Sequence, residues 1–83
     1  MNVTRAAIAK AIKIRTGWDV IVVGSASDGC YHFASNDRDT DMELSGWFET
    51  TVYVYRLNHL SVTQWVEEFE VMMERNGATN KLF

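Results

Sequence analysis

The segment 60–77 constrains the fold of this chain more than any other, because it reads as one amphipathic helix with both ends marked. Ser61 and Gln64 have the spacing of a capping box, and Gly77 can adopt the left-handed backbone that ends a helix. Apolar side chains recur at helical spacing at Val62, Trp65, Val66, Phe69, Met72 and Met73. Such a stripe must pack on another apolar layer, which the rest of the chain has to supply.

A second helix is predicted at the other end of the chain, over residues 3–15. This segment is rich in alanine, the best helix former, and has a moderate apolar face. Asn2 or Thr4 can cap its start, and Gly17 can close its end. Small alanine side chains allow this helix to approach a neighbour closely.

Three segments between the helices predict antiparallel strands, over residues 18–23, 30–35 and 47–57. The first two are joined by the turn 24–29, while 36–41 reads as a polar acidic loop and 42–44 as a short edge strand or more loop. We therefore expect an α+β fold of the order helix, three antiparallel strands, helix. The simplest packing puts both helices on one face of the sheet.

The alternation of residue types along the third strand predicts two different sheet faces. Phe48, Val52 and Val54 would pack beneath the helices. The opposite side would carry Trp47, Tyr53 and Tyr55, joined by Tyr31 or His32 of the second strand. Tyrosine and tryptophan are favoured at interfaces because they combine a large apolar body with a polar tip. The sequence therefore predicts an aromatic, partner-binding face.

Length and composition limit the functional classes. The 83 residues allow one domain, spanning 1–83, in which 78–83 has no predicted structure and could be a flexible tail. No apolar run is long enough to span a bilayer, and no secretory signal is recognisable, so no membrane partner is expected. The single cysteine suits a reducing compartment, and we expect a cytoplasmic protein.

Neither a metal site nor a catalytic site is predicted. Four acids alternate as at the start of a calcium loop, but Met42 stands where that loop needs glycine and Phe48 where it needs glutamate. The four acids are Asp37, Asp39, Asp41 and Glu43. Cys30 and His32 would share one strand face, as a nucleophile and base would, but no third group orients them. We expect no cofactor, no small-molecule substrate and no enzymatic activity.

Charge is segregated along the chain, although its net value is only −3. Residues 1–18 carry four basic side chains and no acid, whereas 19–60 and 61–83 have an excess of acids. The basic first helix and the acidic remainder of the chain could attract each other or face different partners. A basic first helix leaves nucleic-acid binding as an alternative. The element order is also that of double-stranded-RNA-binding domains, but the last helix here is acidic where those domains need lysines.

We therefore expect a small non-catalytic protein-binding module, an inhibitor or adaptor of the kind that phages and other mobile elements encode. Its partner would be another protein or a second copy of itself. Two surfaces are candidates, the aromatic sheet face described above and an acidic surface of the last helix. The acidic surface comprises Glu67, Glu70 and Glu74. Mimicry of a nucleic acid by these acids is a further alternative.

Overall fold

A computed structural model, which describes residues 2–82, shows an α+β fold with three helices and one antiparallel sheet. The predicted order of helix, strands and helix is confirmed, with one additional helix between the second and third strands. The elements are α1 (Arg5–Thr16), β1 (Ile21–Ser25), β2 (Cys30–Ala34), α2 (Arg38–Ser45), β3 (Thr51–Val52) and α3 (Val62–Arg75). Short 3₁₀ turns lie at Ala26–Asp28 and Leu57–His59.

The helix α3 forms as its sequence predicts. Ser61 accepts a hydrogen bond from the Gln64 amide, and the Gln64 side chain accepts one from the Ser61 amide, which completes the capping box. Gly77 follows the last turn with φ of 67°. Trp65 and Phe69 are fully buried, so the apolar stripe of this helix is the centre of the core.

The helix α1 is fixed at both ends and ties down the C-terminal segment. Thr4 caps it by accepting from the Ala7 amide. Beyond its other end, Lys81 donates its amide to the Thr16 carbonyl at 2.7 Å, and its ammonium lies 3.9 Å from the centre of the Trp18 ring. The described part of the segment 78–83 therefore packs against the end of α1, while Phe83 lies outside the described residues.

The sheet has the strand order β1-β2-β3, and one of its faces forms the floor of the core. Cross-strand pairing joins Val22 to Phe33 and Tyr31 to Val52, which places these four buried side chains on one face. The Trp65 ring of α3 meets Tyr31 and Phe33 edge-on. Arg5 of α1 lies over the Tyr31 ring, so α1 and α3 both contact this face.

The prediction for the acidic segment is wrong. Residues 36–41 were expected to form a loop, and 42–44 a short edge strand or more loop. The segment forms α2, which Asp37 caps by accepting from the amide and hydroxyl of Thr40. Thr40 and Leu44 are buried one turn apart, and they hold the helix on the core. Only Leu44 of these two is apolar, which makes the helical period of α2 weak in the sequence.

The predicted length of the third strand is also wrong, because β3 covers only Thr51–Val52 of the predicted 47–57. Before it, the Trp47 amide still bonds to the Leu44 carbonyl and so closes the end of α2. After it, the Val54 amide donates to the Val52 carbonyl and makes a tight turn centred on Tyr53. The first strand is also shifted, since β1 runs from Ile21 to Ser25 and includes two residues of the predicted turn.

Candidate functional site: the open face of the sheet

The face of the sheet opposite the core is the principal candidate for a functional surface. We call it the open face. All of its strand residues are at least partly exposed, whereas the side chains on the core face, those of Val22, Tyr31, Phe33 and Val52, are buried. Its strand residues are Ile21, Val23, Ser25, Cys30, His32, Ala34 and Thr51. The end of α2 borders this surface, where Asp41 and Ser45 line a shallow pocket beside His32 and Ala34.

The open face is uncharged along its strands, and Asp41 of α2 stands at its border. None of its seven strand residues is acidic, lysine or arginine, although such residues make up 23% of the chain. Isoleucine, valine, alanine and cysteine give it an apolar character, and His32 stands exposed on the central strand. An uncharged, partly apolar surface is suited to burial against another protein.

Two tyrosines lie at the end of this sheet. Tyr53 is 75% exposed and Tyr55 is 67% exposed, which confirms the prediction that both face solvent. Tyr53 projects from the tight turn after β3. The Tyr55 ring rests on the β1–β2 turn, where a Cβ added to Gly29 would lie 3.3 Å from it. Binding of a partner by these two side chains stays a prediction.

Trp47 and Tyr31 do not belong to the open face, contrary to the sequence prediction. The Trp47 ring stacks on Phe69 at 5.5 Å and meets Trp18 edge-on at 5.2 Å, while Tyr31 is buried on the core face. Phe48, predicted to lie beneath the helices, is 95% exposed. The reason is that the chain turns and bends over residues 46–48, so the alternation of a strand does not apply to them.

The predicted acidic surface of α3 is divided between solvent and an internal contact. Glu67 and Glu74 are exposed. Glu70 is half-buried, and its carboxylate oxygen Oε1 lies 3.4 Å from Nε of Arg15 in α1, so this ion pair helps to join the two helices. Only part of the predicted acidic surface is therefore available to a partner.

The basic side chains of α1 mostly contact the rest of the molecule. Arg5 donates to the Gly24 carbonyl, Lys13 pairs with Asp19 at 3.2 Å, and Arg15 pairs with Glu70. The sequence left open whether the basic helix and the acidic remainder attract each other or face different partners, and the pairs of Lys13 with Asp19 and of Arg15 with Glu70 are contacts of the first kind. They leave little concentrated positive charge for a phosphate backbone, which weighs against nucleic-acid binding.

The residues considered for chemistry are not assembled into a reactive site. Cys30 and His32 lie on the same face of β2, but within residues 2–82 neither side chain has a hydrogen-bond partner that would orient it. In the same part of the chain, no group of three or more potential ligands is placed to hold a metal ion.

Two carboxylates have shifted acidity, and both act on the backbone. The Thr40 hydroxyl and amide lower the pKa of Asp37. The Thr51 amide lowers the pKa of Glu49, which also accepts the Thr50 amide and fixes the turn after Phe48. Both shifts come from hydrogen bonds that stabilise the charged form, so these acids are local structural groups.

Comparisons of the chain with protein-family models, with curated proteins and with solved structures gave no significant match. Within the described residues, no helix has the length and apolar character required to cross a bilayer. The contribution of β1 to the open face was not recognisable beforehand, because its valine-rich run looks apolar on both sides. The exposed His32 between two aromatic residues of β2 was the clearest available signal for the open face.

Proposed function

We propose that this protein is a non-catalytic protein-binding module whose interface is the open face together with Tyr53 and Tyr55. The observation that carries the proposal is the exposure of both tyrosines at the end of an uncharged sheet surface, Tyr53 directly after β3 and Tyr55 against Gly29 of the β1–β2 turn. Exposed aromatic rings beside half-exposed aliphatic side chains gain most when a partner excludes water from them. A module of this kind acts by covering a surface of its partner, as an inhibitor or adaptor does.

Charge favours a protein partner over a nucleic acid at this site. A nucleic-acid surface needs lysine and arginine to neutralise phosphates, and the open face has neither. Mimicry of a nucleic acid through α3 is less well supported, since Glu70 is already paired with Arg15. The proposal also places the protein in the cytoplasm, where the free thiol of Cys30 suits a reducing environment. An origin in a phage or other mobile element is consistent with the small size of the module.

The test is affinity capture from the native host with variants that alter only the surface. Tyr53→Ser/Tyr55→Ser should lose a specifically captured protein that the wild type retains. The matched control is Phe48→Ser, which removes an aromatic ring that is 95% exposed. Phe48 belongs to neither a strand nor the β1–β2 turn, and its amide bonds to Asn76 at the end of α3. The proposal fails if the double variant captures the same proteins as the wild type, or if the control loses them equally.

A further inference from the structure

We infer that the open face is covered by a second copy of this chain, packed face to face about a two-fold axis near the central strand. This inference rests on the proposed function, and it names the partner of the same surface. Two-fold contacts bring the same patch of both subunits together, so a suitable patch must be complementary to itself. The open face meets this requirement in charge and in hydrogen bonding.

The strand residues of the open face can meet their own copies without bringing like charges together. Near a two-fold axis each residue approaches its own copy, and a charged residue there would face a like charge. The open face has no lysine, arginine or acid among its strand residues. The outer surfaces of the three helices all carry exposed charges, such as Lys10 on α1, Asp39 on α2 and Glu67 on α3. The open face is therefore the sheet or helix surface best suited to meet its own copy.

His32 lies on β2, the central strand, and is the one strand residue of the open face whose side chain is fully in the exposed range, since the other six are partly buried. A neutral imidazole has one hydrogen-bond donor and one acceptor, so two copies can pair with each other across a two-fold axis. Its cross-strand neighbours are Val23 and Thr51, neither of which is charged. An acid beside it, Asp41 of α2, lines the same pocket at the border of the face.

The available area sets the strength of the contact. The strands β1 and β2 have five residues each and β3 has two, so the face they form measures roughly 200 Å², and two tyrosines add on the order of 300 Å². The total is about 500 Å² for each protomer, below the ~800 Å² of a standard interface. We therefore expect a reversible dimer with a dissociation constant in roughly the micromolar range or above.

A charge-swap experiment tests the inference. Sedimentation equilibrium of the wild type up to several hundred micromolar should show a reversible dimer. His32→Glu and His32→Lys should each weaken dimerisation at least tenfold, because like charges would meet near the axis. An equimolar mixture of the two variants should recover dimers that contain one chain of each. Val23→Glu and Val23→Lys form a second pair on the same face, in case the first pair does not fold.

The control pair is Thr63→Glu and Thr63→Lys, at an exposed position on α3, which packs against the opposite face of the sheet. These variants should dimerise as the wild type does. A monomeric wild type, or a mixture that stays monomeric, overturns the inference. If the wild type is monomeric but still captures a host protein through Tyr53 and Tyr55, only the second copy is excluded. If that capture also fails, the proposed function fails with it.

Discussion

At the scale of single residues, two glycines at helix ends illustrate different structural demands. Gly17 and Gly77 both have left-handed backbones, with φ of 78° and 67°. A Cβ on Gly17 would lie 2.9 Å from the Lys81 carbonyl carbon, whereas a Cβ on Gly77 would have no neighbour within 4 Å. Gly17 is therefore needed for its conformation and for the close approach of the C-terminal segment, and Gly77 for its conformation alone.

This difference predicts unequal effects of alanine at the two positions. Gly77→Ala should lower the free energy of unfolding by about 1 kcal/mol, the usual cost of a left-handed backbone for a residue with a side chain. Gly17→Ala should cost at least about 1 kcal/mol more, because the segment that contacts it must move. Urea denaturation of both variants measures the difference. Equal losses would show that the segment 79–82 does not pack against Gly17.

Trp47 and Phe48 supply a second residue-scale prediction. Trp47→Ala removes contacts with Trp18 and Phe69, and it should destabilise by about 2–4 kcal/mol, since the site is only half-buried. Phe48 is 95% exposed, so Phe48→Ala should change stability by less than about 0.5 kcal/mol. Thermal melting of both variants is sufficient. A larger loss for Phe48→Ala would contradict the described turn.

The sequence predicted the burial of residues inside regular elements better than the burial of these two aromatics. Their exposure depends on where the backbone turns, and that is set by contacts far along the chain. The Phe48 amide donates to the Asn76 side chain at 2.7 Å, a contact that strand alternation cannot reveal. The cap residues Thr4 and Ser61 were recognisable because their hydrogen bonds are local.

At the scale of elements, α3 contributes the largest part of the core. Trp65 and Phe69 are both fully buried and contact the sheet through Phe33. Trp65→Ala or Phe69→Ala should destabilise by about 3–5 kcal/mol, because each leaves a cavity in a small core. The control is Val71→Ala, whose side chain on the same helix is 42% exposed. Should the two aromatic variants melt within a few degrees of the wild type, the assignment of α3 to the core is wrong.

The helix α2 makes stability depend on pH through its cap. The Thr40 hydroxyl and amide hold the pKa of Asp37 below its ordinary value of 3.8. Since the unfolded chain takes up the proton more readily, this stabilisation is present above about pH 4 and is lost as the pH falls through the lowered pKa.

Asp37→Asn removes that titration while keeping an oxygen acceptor at the cap. Its unfolding midpoint should fall less between pH 4 and pH 2 than that of the wild type. Asp39→Asn, an exposed acid on the same helix, is the matched control and should follow the wild-type profile. Parallel profiles for the wild type and Asp37→Asn would contradict the assigned role of the cap.

The two helices also show why some elements can be predicted and others cannot. α3 has a long apolar stripe, a capping box and a terminal glycine, so several independent signals agree on it. α2 spans only Arg38–Ser45 and contributes two buried side chains. Its stability comes from packing beside β2 and from the Asp37 cap. Neither is recognisable in the sequence, because the alternating acids are typical of a solvent-exposed loop.

At the scale of the whole molecule, the central feature is a sheet with one covered face and one open face. The order of the main elements follows from periodicity and chain length. Tyr53 and Tyr55 are exposed as predicted, but they lie beyond β3, which ends at Val52, and not on the alternating strand that the sequence predicts. The composition of the open face depends on the β1–β2 register, which puts Val23 opposite His32 and Ser25 opposite Cys30. That register could not be fixed from the sequence, because the turn between the strands allows several pairings.

The claim that the open face is the binding surface is tested most directly by two numbers for each tyrosine variant. These are the melting temperature and the association constant, measured by sedimentation for self-association or against a captured host partner. Tyr53→Ala and Tyr55→Ala should each weaken association by about 1–3 kcal/mol. Both should cost less stability than Trp65→Ala, because their side chains are 75% and 67% exposed. Variants that lose as much stability as Trp65→Ala and associate unchanged would contradict the account.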